Sequence, residues 1–197
     1  MTTSRRLKIL CLHGYTQNAE VFSKKTSAWR KACEGFADFV YVSAPHTAIP
    51  STDGGAYVPG AATDSERVWY IVKAEGTLIY DKLEASLEYL AQVLENEGPF
   101  DGIIGFSQGA ATAGILSALL EGSQPLTEKC LHPPFRFGIF IGGYLPAAPK
   151  YSPLFATPLS MPSLHLIGRY DTVVSIEKSE ALSKGFRNST SLYHDGG

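Results

Sequence analysis

The chain has 197 residues, of which 44% are hydrophobic and 18% are charged. This composition is typical of a globular protein and excludes fibrous and intrinsically disordered classes, and the length favours one domain over residues 1–197. Lysine and arginine number 17 against 19 aspartate and glutamate residues, so the net charge is −2. With no basic excess to neutralise phosphates, nucleic acid is not expected as a partner.

Export and membrane insertion are both disfavoured. Lys8 interrupts the apolar stretch near the N-terminus, and His13 and Gly14 end it too early for a secretion signal. The longest apolar run, residues 110–120, is too short to span a membrane. Three cysteines are present, and they form no C-x-x-C motif: Cys11, Cys33 and Cys130. Their odd number disfavours disulfides and a zinc site, so we expect a cytoplasmic protein.

The first third of the chain is predicted to alternate strands with a helix. The apolar run Leu7–Leu12 predicts a buried strand, residues 19–34 a helix, and residues 38–43, which are aromatic and β-branched, a second strand. Residues 44–67 contain several prolines and glycines among small residues. Loops this long in compact domains often cover a binding site, so a lid-like loop is expected there.

The clearest predicted helix covers residues 77–97, and Gly98 and Pro99 end it. Its apolar residues recur at steps of three and four: Ile79, Leu83, Leu87, Leu90 and Leu94. Residues 145–162 are proline-rich and irregular. The rest of the pattern predicts strands at residues 100–106, 136–141, 163–168 and 190–194, and helices at residues 107–121 and 175–185.

Strands that read as continuous apolar runs and alternate with helices indicate an α/β fold with a parallel sheet. We expect a doubly wound, mostly parallel sheet of about six strands, with helices on both faces. In such sheets the functional residues lie at the carboxyl ends of the strands. Candidate residues were therefore sought where the predicted strands end.

Residues 105–109 read G-F-S-Q-G and match the G-x-S-x-G pattern, which is weak when it stands alone. Here a predicted strand runs into it and a helix begins at Ser107. That context is typical of the nucleophile elbow, a strained turn that lifts a serine hydroxyl above the sheet. The alternative is that Ser107 only caps the helix. We predict that it is the nucleophile.

Two backbone N–H groups are expected to form the oxyanion hole, the site that stabilises negative charge on the reacting carbonyl oxygen. One belongs to Gln108, the residue after the nucleophile, and the other to Tyr15, in the loop after the first strand. His13, just before that loop, is expected to hold it in place rather than to catalyse.

Asp171 follows the strand Ser163–Gly168, after the serine in the chain, as the acid of this triad order does. Glu177 and Asp195 are weaker candidates for the same role. The triad base belongs on the loop after the last strand, and His194 is the only candidate histidine at this end of the chain. His194 is expected to lie within the strand, with its side chain directed into or under the sheet.

Five segments together resemble the FSH family of serine hydrolases: LKILCLHGYTQN, EGPFDGIIGFSQGAA, HPPFRFGIFIGGY, PSLHLIGRYDTVV and LYHDGG. This family is a compact α/β-hydrolase group, and the resemblance covers residues 7–197. It implies esterase or thioesterase chemistry, and some fungal members release polyketide acyl chains from carrier proteins. By the same resemblance, Ser107 matches the nucleophile and Asp171 the acid.

In the family pattern the closing segment reads G-G-H, and its histidine is the base. Gly196 and Gly197 match the two glycines, and the sequence has no residue after them. The expectation is therefore a C-terminus truncated before the catalytic histidine, and a 197-residue chain that turns over little substrate.

These features predict a serine esterase or thioesterase acting through an acyl-serine intermediate on a small-molecule acyl substrate, free or bound to a carrier protein. No metal or organic cofactor is needed. The alternatives are a non-catalytic hydrolase-fold binding protein without a base, and a peptidase or a lipase. Residues of the two long loops either line an acyl pocket or anchor the loops: Tyr57, Val58, Trp69, Tyr70, Leu154 and Phe155.

Overall fold

A parallel β-sheet forms the centre of the structure. The structure is a computed structural model and describes residues 5–48, 65–74, 76–122, 126–127 and 130–196. The strands in these residues are β1 (Leu7–Leu12), β2 (Ala37–Val42), β3 (His46–Thr47), β4 (Arg67–Val68), β5 (Ile71–Lys73), β6 (Ile79–Asp81), β7 (Gly102–Phe106), β8 (Phe137–Ile141), β9 (Ser163–Gly168) and β10 (Ser189–His194). Six of them form one parallel sheet, in the order β10-β9-β8-β7-β1-β2.

The strand order makes the sheet doubly wound. The chain passes from β1 outward to β2, then returns to the other side of β1 and adds β7 to β10 in sequence. Leu10 of β1 accordingly pairs with Val40 on one side and Ile103 on the other. The chain leaves β1 toward β2 on one side and leaves β7 toward β8 on the other, so the strand order reverses between β1 and β7.

Helices lie on both faces of this sheet. They are α1 (Ala19–Lys25), α2 (Ser27–Cys33), α3 (Leu83–Glu97), α4 (Gln108–Glu121) and α5 (Ile176–Lys184), with a 3₁₀ turn at Ser152–Phe155. On the face with the larger core, Leu10 and Ile103 pack among Leu90 of α3, Leu116 of α4 and Leu182 of α5. Full burial of such a side chain contributes roughly 1.5–3 kcal/mol.

The opposite face has a smaller core in which Phe22 of α1 packs over Ile9, Cys11 and Ile104. Helix α1 packs against β1 and β2, and α2 packs against β2. Further along this face, the outward residues of β8 are only partly buried: Phe137, Ile139 and Ile141. The expectation of helices on both faces holds, but among the described residues they cover this face only in part.

The helix predicted for residues 19–34 is wrong as one element, because it divides into α1 and α2 at Thr26. The Asn18 side chain caps α1 by accepting a hydrogen bond from the Val21 N–H. The Thr26 hydroxyl contacts the Phe22 carbonyl at 2.9 Å and the Tyr41 hydroxyl at 2.5 Å. These contacts turn the chain where the pattern predicted a continuous helix.

The helix predicted from residue 77 begins only at Leu83. Ile79, the first residue of the apolar pattern, instead lies in β6, which pairs antiparallel with β5. Lys82 at φ 68° turns the chain between that ribbon and α3. The predicted lid-like loop lies mostly outside the described residues. Its two ends form the β3–β4 pair.

None of the helices in the described residues is long and apolar enough to cross a membrane. The three cysteines carry free thiols, with Cys11 and Cys130 buried and Cys33 half-buried. Burial raises the pKa of the Cys11 thiol well above its usual range, so this group stays protonated and unreactive at neutral pH.

Candidate active site

Ser107 occupies the turn between β7 and α4, with φ 50° and ψ −115°. A positive φ is uncommon outside glycine and marks a strained turn, which costs about 1–3 kcal/mol. The Ser107 N–H donates to the Ile141 carbonyl at 2.8 Å, which ties the turn to the neighbouring strand β8. Its side chain makes no capping hydrogen bond to α4, so the helix-cap alternative is not supported.

The two glycines of the motif permit close backbone contacts around Ser107. A β-carbon on Gly105 would lie 2.5 Å from the Ala110 Cα in α4. On Gly109, it would overlap the carbonyl oxygens of Leu12 and His13, at the end of β1. The turn after β7 and the end of β1 therefore touch through their backbones.

His13 holds the loop after β1 with both ring nitrogens. Nδ1–H donates to the Gly14 carbonyl at 2.7 Å, and Nε2 accepts from the Ala44 N–H at 2.9 Å. The side chain is fully buried, and this burial lowers its pKa to about 4. A neutral ring with both nitrogens engaged fits the predicted loop-holding role. Tyr15, two residues further on, is exposed.

A buried polar network joins the end of β4 to the residues around Ser107. The Gln108 side-chain oxygen accepts from the Trp69 N–H, and its amide nitrogen donates to the Tyr70 carbonyl, both at 2.9 Å. The Trp69 indole N–H donates to the His13 carbonyl at 2.8 Å. The Ser86 hydroxyl donates to the Trp69 carbonyl at 2.6 Å. No local sequence pattern connects the members of this network, which lie up to 95 residues apart.

Asp171 lies in the turn after β9 and directs its carboxylate toward β8. Oδ1 accepts the N–H groups of Val173 and Val174, each at 2.8 Å. Oδ2 lies 3.4 Å from the point where a β-carbon on Gly142 would be. Gly142 directly follows Ile141, which pairs with Phe106 next to Ser107. The structure therefore brings Asp171 and Ser107 to the same edge of the sheet, two strands apart.

The two rival acids are placed differently. Glu177 lies in the first turn of α5, where a hydrogen bond from Ser175 lowers the pKa of its carboxyl. Asp195 forms an exposed ion pair with Arg169 at 3.5 Å. Both rival carboxylates thus interact with groups near their own positions in the structure, and the role of Asp171 as the acid stays a prediction.

All five histidines lie in the described residues, and among the hydrogen bonds of this part of the chain none joins a histidine to Ser107 or Asp171. Besides His13, three of them bond to nearby groups: His46 to the Lys82 carbonyl, His132 to Phe100 and Pro133, and His165 to Ser163. His194 lies in β10 as expected, but its side chain is exposed, and its Nδ1 accepts the Gly196 N–H at 3.1 Å.

The large loop residues that the structure describes act as anchors. Trp69 and Tyr70 are fully buried, and Tyr70 stacks on Tyr80 with ring centroids 4.3 Å apart. Phe155 packs in the main core beside Phe186. Leu154 packs against the same core. Tyr57 and Val58 lie outside the described residues, so for these two both alternatives, pocket and anchor, stay open.

Other features of the described residues offer no second catalytic centre. No group of three or more histidine, cysteine, aspartate or glutamate side chains is placed to hold a metal ion there. A groove of about 480 Å³ lies at the amino ends of β1 and β2, away from Ser107. Arg6 on its wall pairs with Asp38 at 2.8 Å, so these two charges neutralise each other.

Residues 1–197 match the model of the family described as serine hydrolase (FSH1). The chain belongs to the FSH1 serine hydrolase family. This membership confirms the resemblance of the five sequence segments. The chain is also 36% identical to esterase OVCA2 of Xenopus tropicalis over 203 residues, covering 98% of this chain and 85% of that protein. For esterase OVCA2 of Bos taurus the identity is 36% over 210 residues, with 100% and 90% covered.

A Schizosaccharomyces pombe protein named dihydrofolate reductase is 34% identical over 201 residues. The match covers 98% of this chain but only 43% of that protein, so this chain spans less than half of its length. The reductase name belongs to the whole S. pombe protein and is not transferred to this member of the FSH1 family.

Solved structures with the same fold include Zea mays acyl-protein thioesterase 2, with a TM-score of 0.61 and 21% identity. That match covers 99% of this chain and 87% of the maize chain. The structure of esterase PE8 matches with a TM-score of 0.64 and 20% identity over 100% and 86% of the two chains. At these identities the likeness concerns the fold, and it confirms the predicted α/β-hydrolase architecture.

Proposed function

We propose that this protein is a serine hydrolase that cleaves a carboxylic ester or thioester through an acyl-serine intermediate on Ser107. The observation that carries the proposal is the strained turn at Ser107 at the carboxyl edge of the sheet, beside the turn that Asp171 approaches. Membership of the FSH1 serine hydrolase family and the esterase names of relatives support the same reaction class.

In the proposed reaction, a base removes the Ser107 hydroxyl proton while the oxygen attacks the acyl carbonyl carbon. The carbonyl oxygen becomes an oxyanion that the N–H groups of Tyr15 and Gln108 stabilise. Collapse of this intermediate expels the alcohol or thiol, which takes the proton from the base. Water then repeats the sequence on the acyl-serine. Each oxyanion donor is worth about 2.7–4 kcal/mol where such groups have been removed.

Asp171 is proposed as the acid that orients and stabilises the protonated base. The base itself is proposed to be a histidine placed directly after Gly197. A β-carbon on Gly168 would lie 2.5 Å from the Gly196 carbonyl oxygen and 3.4 Å from the Asp171 Cβ, so Gly196 and Asp171 both lie beside Gly168. A residue two positions beyond Gly196 therefore starts within reach of Asp171, since each residue spans about 3.5 Å.

A second candidate function for the 197-residue chain alone is binding of an acyl compound without turnover. The observation that favours it is the placement of the five histidines, which in the described residues hydrogen-bond to groups other than Ser107 and Asp171. A serine hydroxyl without an adjacent base is a weak nucleophile at neutral pH. A chain with the oxyanion donors but no base would bind acyl groups and turn them over slowly.

The proposed substrate is a small acyl ester or thioester, free or attached to a carrier protein, encountered in the cytoplasm. The name acyl-protein thioesterase on a structural neighbour and the name esterase on the relatives make both bond types worth testing. No metal or organic cofactor enters the proposed reaction.

The test compares four proteins on one p-nitrophenyl ester and one small acyl thioester. They are the 197-residue chain, the chain with one histidine added after Gly197, the extended chain with Ser107→Ala, and the extended chain with His194→Ala. A fluorophosphonate probe, which labels activated serines, is applied to each. We expect hydrolysis and labelling in the extended chain and its His194→Ala variant, and neither in Ser107→Ala.

Residual turnover by Ser107→Ala within about tenfold of the extended chain would remove Ser107 from its role. If the 197-residue chain already turns over rapidly and His194→Ala stops it, His194 is the base. If every form binds the ester but none is labelled or turns it over, the binding function replaces the hydrolase proposal.

A further inference from the structure

Trp69 lies between the two loops that carry the proposed oxyanion donors. Its indole N–H donates to the His13 carbonyl at 2.8 Å, and its backbone N–H donates to the Gln108 side chain at 2.9 Å. Tyr15 follows His13 by two residues, and Gln108 itself carries the second donor. One fully buried residue is thus bonded to both sides of the proposed oxyanion hole.

Both polar atoms of the Gln108 side chain are engaged inside the protein. Its oxygen accepts the Trp69 N–H and its nitrogen donates to the Tyr70 carbonyl, and the residue is only 5% exposed. Rotation of Gln108 would break both buried hydrogen bonds and leave buried polar groups unsatisfied, which is costly. The side chain therefore restrains the orientation of its own backbone N–H.

The other side of the hole is equally restrained. The ring of His13 lies 5.2 Å from the Trp69 ring, and its two nitrogens bond to Gly14 and Ala44. Gly109 lies against the His13 carbonyl, so the two loops touch. The loop after β1 therefore has little freedom to move relative to the turn at Ser107.

We infer that the indole N–H of Trp69 and the side-chain amide of Gln108 form a buried clamp that sets the separation of the Tyr15 and Gln108 N–H groups, so that Trp69 is a positioning residue. The inference rests on the proposed function. Oxyanion stabilisation requires donors held in place before the reaction. A misplacement of 1 Å can cost about 10²-fold in rate.

The test uses Trp69→Phe, which removes the indole donor and keeps an aromatic ring. Its matched control is Ser86→Ala, which removes a buried hydrogen bond to the backbone carbonyl of the same Trp69 and leaves both of its N–H groups in place. For each variant, kcat, KM and the inhibition constant of a trifluoromethyl ketone are measured in the form that hydrolyses the ester. This ketone forms a charged adduct with the serine and so reports on the oxyanion hole.

We expect Trp69→Phe to lower kcat about 10- to 100-fold with KM nearly unchanged, and to weaken ketone binding in parallel. Ser86→Ala should lower the melting temperature without changing kcat or ketone affinity. A Trp69→Phe enzyme with the parent kcat would overturn the inference. So would a Ser86→Ala enzyme that loses as much kcat as Trp69→Phe.

Amide hydrogen exchange on the 197-residue chain separates this inference from the proposed function. Trp69→Phe should speed exchange in both segments 13–18 and 105–111, whereas Ser86→Ala should leave both unchanged. If no form hydrolyses the ester, the proposed function fails, and this exchange comparison alone decides whether the clamp exists. Unchanged exchange in Trp69→Phe refutes it.

Discussion

The carbonyl oxygen of Gly196 lies 2.5 Å from the point where a β-carbon on Gly168 would be. The Asp171 Cβ and the His194 Cε1 are each 3.4 Å from the same point. The end of the described chain therefore packs against the turn that carries Asp171. A side chain at position 168 has no room unless the backbone at Gly196 moves away.

Gly168→Ala should impair the histidine-extended chain more than it destabilises the fold. The added methyl group displaces Gly196, and with it the histidine two residues later, while the core strands keep their pairing. We expect kcat to fall about 10- to 100-fold through this displacement. The melting temperature should change little. Both are measured on the purified extended chain with one ester.

Gly35→Ala is the matched control, because a β-carbon there would meet no atom within 4 Å. It should keep the parent kcat. A Gly168→Ala enzyme with unchanged kcat would show that the position of Gly196 does not matter for the reaction.

Asp171→Asn should retain the conformation of the turn after β9 but lower the rate of hydrolysis strongly. The asparagine oxygen can still accept the N–H groups of Val173 and Val174, so the shape of the turn is retained. The negative charge that stabilises the protonated histidine is lost, which costs as much as about 10⁴ in kcat in comparable triads. Steady-state kinetics of the extended chain measure the loss.

Glu177→Gln and Asp195→Asn make the same change of charge at the rival acids. Both should stay near the parent rate. If either one loses activity while Asp171→Asn keeps it, the assignment of the acid moves to that residue.

Local signals predicted the elements that lie nearest the site. The sequence predicts β1 and β9 with the bounds that the structure has, because each is a short, largely apolar run with a glycine at or near its end. Gly14 lies two residues after β1, and Gly168 is the last residue of β9. The strand-to-helix turn at Ser107 was also predicted, since its glycines are required by contacts with α4 and β1. The roles of Ser107 and Asp171 stay predictions.

Contacts between distant residues were not predicted. The Gln108 clamp depends on Trp69 and Tyr70, 39 and 38 residues earlier, and no periodic pattern connects these positions. Ile79 was assigned to a helix because it lies four residues before Leu83, yet antiparallel pairing with β5 decided its conformation. In both cases a partner outside the local window overrode the pattern.

Two glycines in α4 should respond oppositely to alanine. Gly109→Ala places a methyl group onto the carbonyl oxygens of Leu12 and His13, which are backbone atoms that cannot move cheaply. It should destabilise the fold by about 1–3 kcal/mol or more, as overpacking does. At Gly114 the nearest atom is the Phe155 Cζ at 3.4 Å. Gly114→Ala should therefore be neutral, or stabilising by up to about 1 kcal/mol.

Urea unfolding followed by circular dichroism measures both variants. Equal stability of Gly109→Ala and Gly114→Ala would contradict the close contact between the turn after β7 and the end of β1.

Burial of His165 should make the fold less stable in mild acid. Its ring lies 5.1 Å from that of Phe140 and 5.4 Å from that of Phe186, and burial lowers its pKa from 6.5 to about 4. Between these two values the unfolded chain binds a proton that the folded chain does not. The stabilisation is therefore fully present above pH 6.5 and is lost as the pH falls toward 4.

The expected loss from His165 between pH 7.5 and 4.5 is about 2–3 kcal/mol, at about 1.4 kcal/mol for each unit of pKa difference. The free energy of unfolding is measured in urea at both pH values. His165→Phe, which cannot titrate, should lose less stability between them than the parent does, by about that amount. Equal losses in His165→Phe and the parent would mean that His165 takes up its proton without unfolding the chain.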